Sequence, residues 1–247
     1  MKHPTRCLFI PDVHIPYHDK RAWALMLKAM RSFRPQIIVT MGDFGDYYAV
    51  SKFSKDPERA DKLESEFKAQ GHCLDDLDSL GAKEKIFIAG NHSKRFDLYI
   101  ADNAPELHGI MSIRKALNLD KRGWRWVGYR DDFKLGKVYL THDVGATGRN
   151  MGHKAIDIYQ HSIITGHGHR MIYIVEADGL GTPILSAQFG WLGDLSYIDY
   201  QHRIVATKAY VLGFGVGYLE RSSGILFANP VPIVNYRCMV EGRIFQG

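Results

Sequence analysis

Between Arg6 and Arg170 the chain runs five times through a short apolar, β-type stretch that stops on carboxylate, amide or imidazole side chains. The stretches cover residues 6–11, 36–41, 85–89, 137–141 and 162–165. The polar tips that follow are Asp12-Val13-His14, Gly42-Asp43-Phe44-Gly45-Asp46, Gly90-Asn91-His92, Thr141-His142-Asp143 and Gly166-His167-Gly168-His169. Buried strands ending this way would set all five tips along the C-terminal edge of the sheets, where open α/β sheets form ligand sites. In an extended segment residues i and i+2 point the same way, so Asp12 and His14 can converge on one point, as can His167 and His169. The glycines at 42, 90 and 166 permit tight turns close to a bound ion. Any one tip is an ordinary turn by itself. Five together are not what independent turns produce.

The intervening segments set the fold class. Ala22, Leu25, Met26, Ala29, Met30 and Phe33 recur at helical spacing after the first stretch. A second amphipathic helix is expected over residues 61–80, with Leu63, Phe67, Leu74 and Leu77 on one face. Strand, helix, strand, helix, strand indicates βαβ units and a mainly parallel sheet. Beyond about residue 160 the strands follow closely, at 171–176, 182–187, 210–219, 224–228 and 233–237, with a turn at Arg221-Ser222-Ser223-Gly224. An α/β first half and a β-rich second half predict two packed sheets with helices outside. No repeat or Pro/Ser/Gly-rich linker divides the chain, so residues 1–247 are expected to form one domain.

Composition narrows the setting. With 45% hydrophobic and 24% charged residues, the chain is neither disordered nor fibrous. Its longest stretch free of strongly polar residues, 209–219, falls short of the roughly 18 apolar residues a membrane span needs. The apolar run at 7–11 stops at Asp12, which does not fit a signal peptide. Three separated cysteines, Cys7, Cys73 and Cys238, without C-x-x-C spacing suggest reduced thiols, and a cytoplasmic protein is expected. A net charge of +5 favours anionic partners without selecting one.

The ordered set D-x-H, G-D-x-x-D, G-N-H, H and G-H-x-H resembles the calcineurin-like metallophosphoesterase superfamily, over residues 12–169. Pro16-Tyr17-His18-Asp19, Ser51-Lys52-Phe53 and Asn103-Ala104-Pro105-Glu106-Leu107 resemble a phage and prokaryotic branch of it. The resemblance implies a four-layer α/β/β/α sandwich of two mixed sheets with flanking helices. It also implies two divalent metal ions, one held by Asp12, His14 and His169 and the other by Asn91, His142 and His167, with Asp43 bridging them. Imidazole, carboxylate and amide ligands without thiolate suit Mn, Fe, Zn or Ni, and Mn is favoured. In the family the metals, roughly 3.5–4 Å apart, clamp the phosphate and lower the pKa of a bridging water, whose hydroxide attacks phosphorus. His92 would then protonate the leaving group as general acid, oriented by Asp46.

Two departures bear on substrate. Phosphoprotein phosphatases of the superfamily follow the second Asp of G-D-x-x-D with Arg and extend G-N-H with Glu; here Tyr47 and Ser93 stand there. A protein phosphatase is thereby disfavoured. Asn91 and Arg95 are expected to touch substrate, and Arg170 is a further candidate for phosphate. Lys52, Lys55, Arg59, Lys94, Arg95, Arg149 and Lys154 interleave with Tyr47, Tyr48, Phe53 and Phe96, a mixture suited to phosphate and stacked bases. The expected activity is hydrolysis of a nucleic-acid or nucleotide phosphodiester, as by a phosphodiesterase or nuclease. The alternatives are a phosphomonoesterase (nucleotidase or phosphoprotein phosphatase) and a catalytically silent scaffold, such as the phosphoesterase-like retromer subunit. Scaffolds of that kind tend to lose the equivalent of His92 together with ligands; here all are present. Trp191 is expected in the core, or as a wall of the pocket.

Overall fold

The computed structural model describes residues 3–52, 62–197 and 208–247. One mixed sheet contains β1 (Thr5–Ile10), β2 (Ile37–Thr40), β3 (Glu84–Ile88), β4 (Trp124–Val127), β10 (Gly213–Glu220) and β11 (Ile225–Pro232). Their order is β11-β10-β1-β2-β3-β4; β1 to β4 are parallel, and β10 and β11 are antiparallel to their neighbours. The second sheet contains β5 (Phe133–Leu135), β6 (Val138–Thr141), β7 (Ile163–Thr165), β8 (Met171–Ala177) and β9 (Pro183–Phe189), in the order β5-β6-β7-β9-β8. Here β6, β7 and β9 are parallel, flanked by antiparallel edge strands.

The central strands are apolar almost throughout because both faces are covered. Phe9, Val39, Met41 and Ile88 of the first sheet meet Leu140, Ile164, Ala187 and Phe189 of the second in the layer between the sheets. The opposite face of the first sheet, through Leu8, Ile10 and Ile38, packs on α1 (Lys20–Phe33), α2 (Leu63–Asp78) and α3 (Asn91–Asn103). A one-turn helix, α4 (Ile113–Ala116), adds Ile113 to that layer. On the outer face of the second sheet lies α5 (Met151–Tyr159), whose Gly152 approaches Ile172 and Ile174 of β8. Helices, sheet, sheet and helix stack as the four-layer sandwich that the motifs implied. The first helix shows how local sequence sets its bounds. Asp19 caps α1 by accepting from the Arg21 and Ala22 N–H groups, and Arg34 in the left-handed region ends it.

Several expectations are corrected. Strands β4 and β5 were not foreseen. Residues 233–236 form a turn rather than a strand, with Asn235 and Tyr236 at φ 48° and 54°. They lead into a separate hairpin of β12 (Arg237–Val240) and β13 (Arg243–Gln246), which packs on α1. On α2 the buried stripe is Glu66, Gln70, Cys73, Leu74 and Leu77, while Leu63 and Phe67 are half-buried; Asp61 lies outside the described residues. The three cysteines are buried and unpaired. Among the described residues no helix is long and apolar enough to cross a membrane.

Candidate metal centre

Each of the five polar tips leaves the C-terminal end of a parallel strand: β1, β2 and β3 in the first sheet, β6 and β7 in the second. Backbone bridges pair Asp12 with Trp191 and Ile15 with Gly45, tying these edges together. The side chains meet. His14 Nε2 lies 3.0 Å from His169 Nε2, which is 3.5 Å from Asp12 Oδ1. His142 Nε2 lies 2.9 Å from Asn91 Oδ1 and 3.2 Å from Asp43 Oδ2, and His167 Nδ1 is 2.9 Å from the same Asn91 oxygen. Three overlapping triads result: Asp12-His14-His169, His14-Asp43-His92 and Asp43-His142-His167, each with ligand atoms within 4.8 Å of one another.

How the residues converge differs from the expectation. His14, Asp43, Tyr47, His167 and His169 all take left-handed φ, between 44° and 67°. Ordinary alternation along an extended strand is therefore not what aims them. Accordingly His167 and His169 diverge, one toward Asn91 and His142, the other toward His14 and Asp12. Each such conformation costs roughly 1–2 kcal/mol for a residue with a Cβ, and it clusters here at one site. Of the three glycines, only Gly42 needs its freedom, at φ 100°. At Gly90 a Cβ would lie 2.0 Å from Asp43 Oδ1, and at Gly166 it would lie 2.6 Å from the Met41 carbonyl oxygen. Those two glycines are required by close approach.

Hydrogen bonds behind the cluster fix the imidazoles. His142 Nδ1 donates to the Met41 carbonyl at 2.8 Å, so its Nε2 faces the centre. His14 Nδ1 donates to Asp46 Oδ2 at 3.1 Å, which turns its Nε2 inward as well. Burial works against the Asp43 charge, yet the His142 and His92 imidazoles outweigh it and hold its carboxyl well below the usual range. Asp12 is lowered likewise by His169 and His142, against the effect of burial. Burial would discharge His142, but Asp43 beside it pushes the imidazole up to about 9. The inward face thus presents carboxylates, an amide oxygen and imidazole nitrogens, and for His142 and His14 the other ring nitrogen is already committed. Acceptors at 2.9–3.2 Å from one another need a cation or a proton between them. Divalent ions fit this donor set, and no thiolate is near it.

Asp46 lies beneath both His14 and His92. Its Oδ2 is 3.3 Å from His92 Nδ1, and its carbonyl oxygen is 2.9 Å from that nitrogen. The His92 N–H also donates to Asp43 Oδ1 at 2.9 Å. Burial disfavours the charged His92 ring, but Asp43 and Asp46 raise its pKa above the ordinary imidazole value. Arg95, one turn along α3, donates to His92 Nε2 at 2.9 Å and to the Asp46 carbonyl at 3.3 Å. Trp191 is core and wall together: it is buried and stacks on His169 with centroids 5.0 Å apart. Arg170 is half-buried beside His169, and its carbonyl accepts from the Gly190 N–H.

Among the described residues the expected stacking rim is not there. Tyr47, Tyr48 and Phe96 are all buried, Tyr47 and Phe96 packing with Phe67, because this segment lies under α2 and α3 rather than over the site. Phe53, Lys55 and Arg59 lie outside the described residues. Lys52 pairs with Asp102 at 2.6 Å, and Lys94, Arg149 and Lys154 are exposed. Sequence reasoning also missed two supports of the centre. Tyr129, after the unforeseen β4, donates to Asp143, which directly follows His142 and also accepts from the Gly145 N–H. On α2, Glu66 and Gln70 hold the Asp46–Tyr47 turn from behind. The polar pair in an otherwise apolar stripe was the available signal for the second.

No family model matches the chain. The Gene 54 proteins of Mycobacterium phage D29 and Mycobacterium phage L5 are each 24% identical to it over 255 aligned positions, covering 98% of both chains. Among solved structures, Vacuolar Protein Sorting 29 from Cryptosporidium parvum aligns at 14% identity over 98% of this chain and 95% of its own, with a TM-score of 0.49. Zn-complexed Vps29 from Entamoeba histolytica aligns at 16% identity over 97% and 96%, with a TM-score of 0.45.

Proposed function

We propose, on the premise that this chain belongs by fold and motif order to the calcineurin-like metallophosphoesterase superfamily, that it is a metal-dependent phosphoester hydrolase. One observation carries the proposal: seven donors from five strand ends, four buried and three half-buried, meet in one cluster with His92 and Asp46 at its edge. Asp12, His14 and His169 would hold one divalent ion, Asn91, His142 and His167 a second, and Asp43 would serve both. When bound, the ions supply Lewis acidity toward phosphoryl oxygens and an activated water.

The remaining steps fall to the chain's own groups. Asp46 holds His92 by Nδ1, and with Asp43 it favours the protonated ring. The Arg95 guanidinium donates to His92 Nε2. A substrate phosphate competes for that guanidinium, which frees the Nε2 lone pair to take up a proton from solvent, as Asp43 and Asp46 favour, and to pass it to the departing oxygen. Arg95 thereby contacts phosphate while His92 acts as general acid. The buried Tyr47 ring, its hydroxyl donating to Gln70, offers nothing to a substrate where phosphoprotein phosphatases have Arg. That favours other phosphoesters, and a nucleic-acid or nucleotide phosphodiester is the class we propose. Exposed Lys94, Arg149 and Lys154, with the net charge of +5, are its remaining support.

The test is a metal-supplemented screen with bis-p-nitrophenyl phosphate, p-nitrophenyl phosphate, cyclic nucleotides, and single- and double-stranded DNA. Expected are turnover best supported by Mn²⁺, loss of turnover in chelator, and preference for diesters. Undiminished activity in chelator, or no metal-dependent turnover of any substrate, would refute the hydrolase. Preference for the monoester would refute only the diester assignment.

A further inference from the structure

Helix α2 carries none of the five motifs, yet it buries two polar residues one turn apart against the turn that bears Asp46. Glu66 is 2% exposed, and its Oε1 accepts from the Tyr47 N–H. Its Oε2 is buried and has no hydrogen-bond partner among the described residues. Gln70, fully buried, accepts from the Tyr47 hydroxyl at 2.9 Å, and its amide fills the space a Cβ on Gly45 would need, 2.4 Å away. Residues four apart on a helix share one face, so α2 applies both contacts at once. Tyr47 needs such a hold, since it sits at φ 56° without being glycine. Directly before it, Asp46 divides one carboxyl oxygen between His14 and His92. A small rotation of this turn would take that oxygen from both rings. Leaving a carboxyl oxygen buried and unpartnered is costly; a leucine here would remove that cost but leave the Tyr47 N–H without its acceptor.

We propose that Glu66 is a positioning residue: by holding the Tyr47 amide it aims the Asp46 carboxylate at His14 and His92 together. Burial also pushes the Glu66 carboxyl up to about 8, so it is mostly neutral near pH 7, and a glutamine can take its place with the accepting oxygen kept. The kinetic arm of the test rests on the phosphoesterase reading; the spectroscopic arm does not.

Glu66→Leu and Glu66→Gln should be compared with the parent and with Asp46→Ala. In ¹⁵N-resolved NMR of the ion-free protein, Glu66→Leu should shift or abolish the hydrogen-bonded Nδ1 proton signals of His14 and His92, and Glu66→Gln should retain them. Glu66→Leu should stay folded, since the cost of the orphaned Tyr47 N–H is offset by removal of the unpartnered carboxyl oxygen. Its kcat on an alkyl phosphodiester should fall about tenfold with KM little changed, whereas Glu66→Gln should turn over as the parent does. Combined with Asp46→Ala, Glu66→Leu should lower kcat no further. Unchanged ring signals in Glu66→Leu would overturn the proposal. So would altered ring signals in Glu66→Gln, which also decides the case if Glu66→Leu does not fold. If the parent hydrolysed none of the substrates, the phosphoesterase reading would fail while the NMR comparison still judged Glu66.

Discussion

Gly90→Ala separates a donor set that merely lies close from one built around Asp43. Gly90 has φ −103° and ψ −177°, which any residue can adopt, so alanine brings no backbone strain. Its Cβ, however, would lie 2.0 Å from Asp43 Oδ1, 2.3 Å from the Asp43 nitrogen and 2.7 Å from Cγ. Attractive contact begins near ~3.5 Å, so the carboxylate must retreat by about 1.5 Å, and the nitrogen contact makes the backbone follow. Overpacking of this kind costs about 1–3 kcal/mol, which a domain stable by about 5–15 kcal/mol survives. The position of Asp43 does not survive. A misplacement of about 1 Å can cost on the order of 10²-fold in function. Because Asp43 shares one triad with His14 and another with His142 and His167, both ions should bind at least about 10²-fold more weakly. Calorimetric titration of the ion-free protein with Mn²⁺ and Zn²⁺ measures this, with circular dichroism to confirm the fold. Gly71→Ala on α2 is the control, since a Cβ there meets nothing within 4 Å. It should bind as the parent does and gain roughly 0.5–1 kcal/mol of stability. Parental affinity in a folded Gly90→Ala would refute the placement of Asp43 between the two sites.

His92→Ala should keep its metal and lose about 10²–10⁴-fold in kcat on an alkyl phosphoester, but far less on a p-nitrophenyl ester, whose leaving group needs no proton. Equal losses on both esters would reassign His92 to phosphate positioning. Asp43→Asn should lose both ions and all turnover, and metal analysis finding two ions per chain would contradict the shared role. For pH, Glu66 rises on folding from an ordinary 4.5 to about 8, so between those values the folded protein holds a proton that the unfolded chain has released. Stability of the ion-free parent should therefore fall by a few kcal/mol as pH rises through that window, and Glu66→Gln should remove the slope. Matching urea-unfolding slopes for the two proteins would show that Glu66 does not titrate there.

What the sequence discloses here and what it conceals have physical causes. Strand ends were readable because a buried parallel strand must be apolar on both faces, so its polar successor stands out at Asp12, Asp43, Asn91, His142 and His167. The core face of α1 was readable for the same reason, as its period is set by burial alone. Strand β4 was not, because Trp124-Arg125-Trp126-Val127 is too short and too polar for the pattern to register, and with it went Tyr129. Burial itself was the larger loss. Tyr47, Tyr48 and Phe96 stand among basic residues in sequence, which suggested a rim, but what covers them arrives from α2 and α3. Glu66 and Gln70 were hidden by the opposite error, since a helix pattern assigns polar residues to solvent. The exact aim of the donors was beyond sequence because it depends on contacts such as His14 with His169, 155 positions apart. The left-handed turns at His14, Asp43, His167 and His169 follow from this. Locally each is disfavoured, and the enrichment of histidine and aspartate among residues at positive φ is too weak to single out these four positions. Tertiary contacts hold them there, and divalent ions among the converging acceptors would relieve the repulsion those turns create.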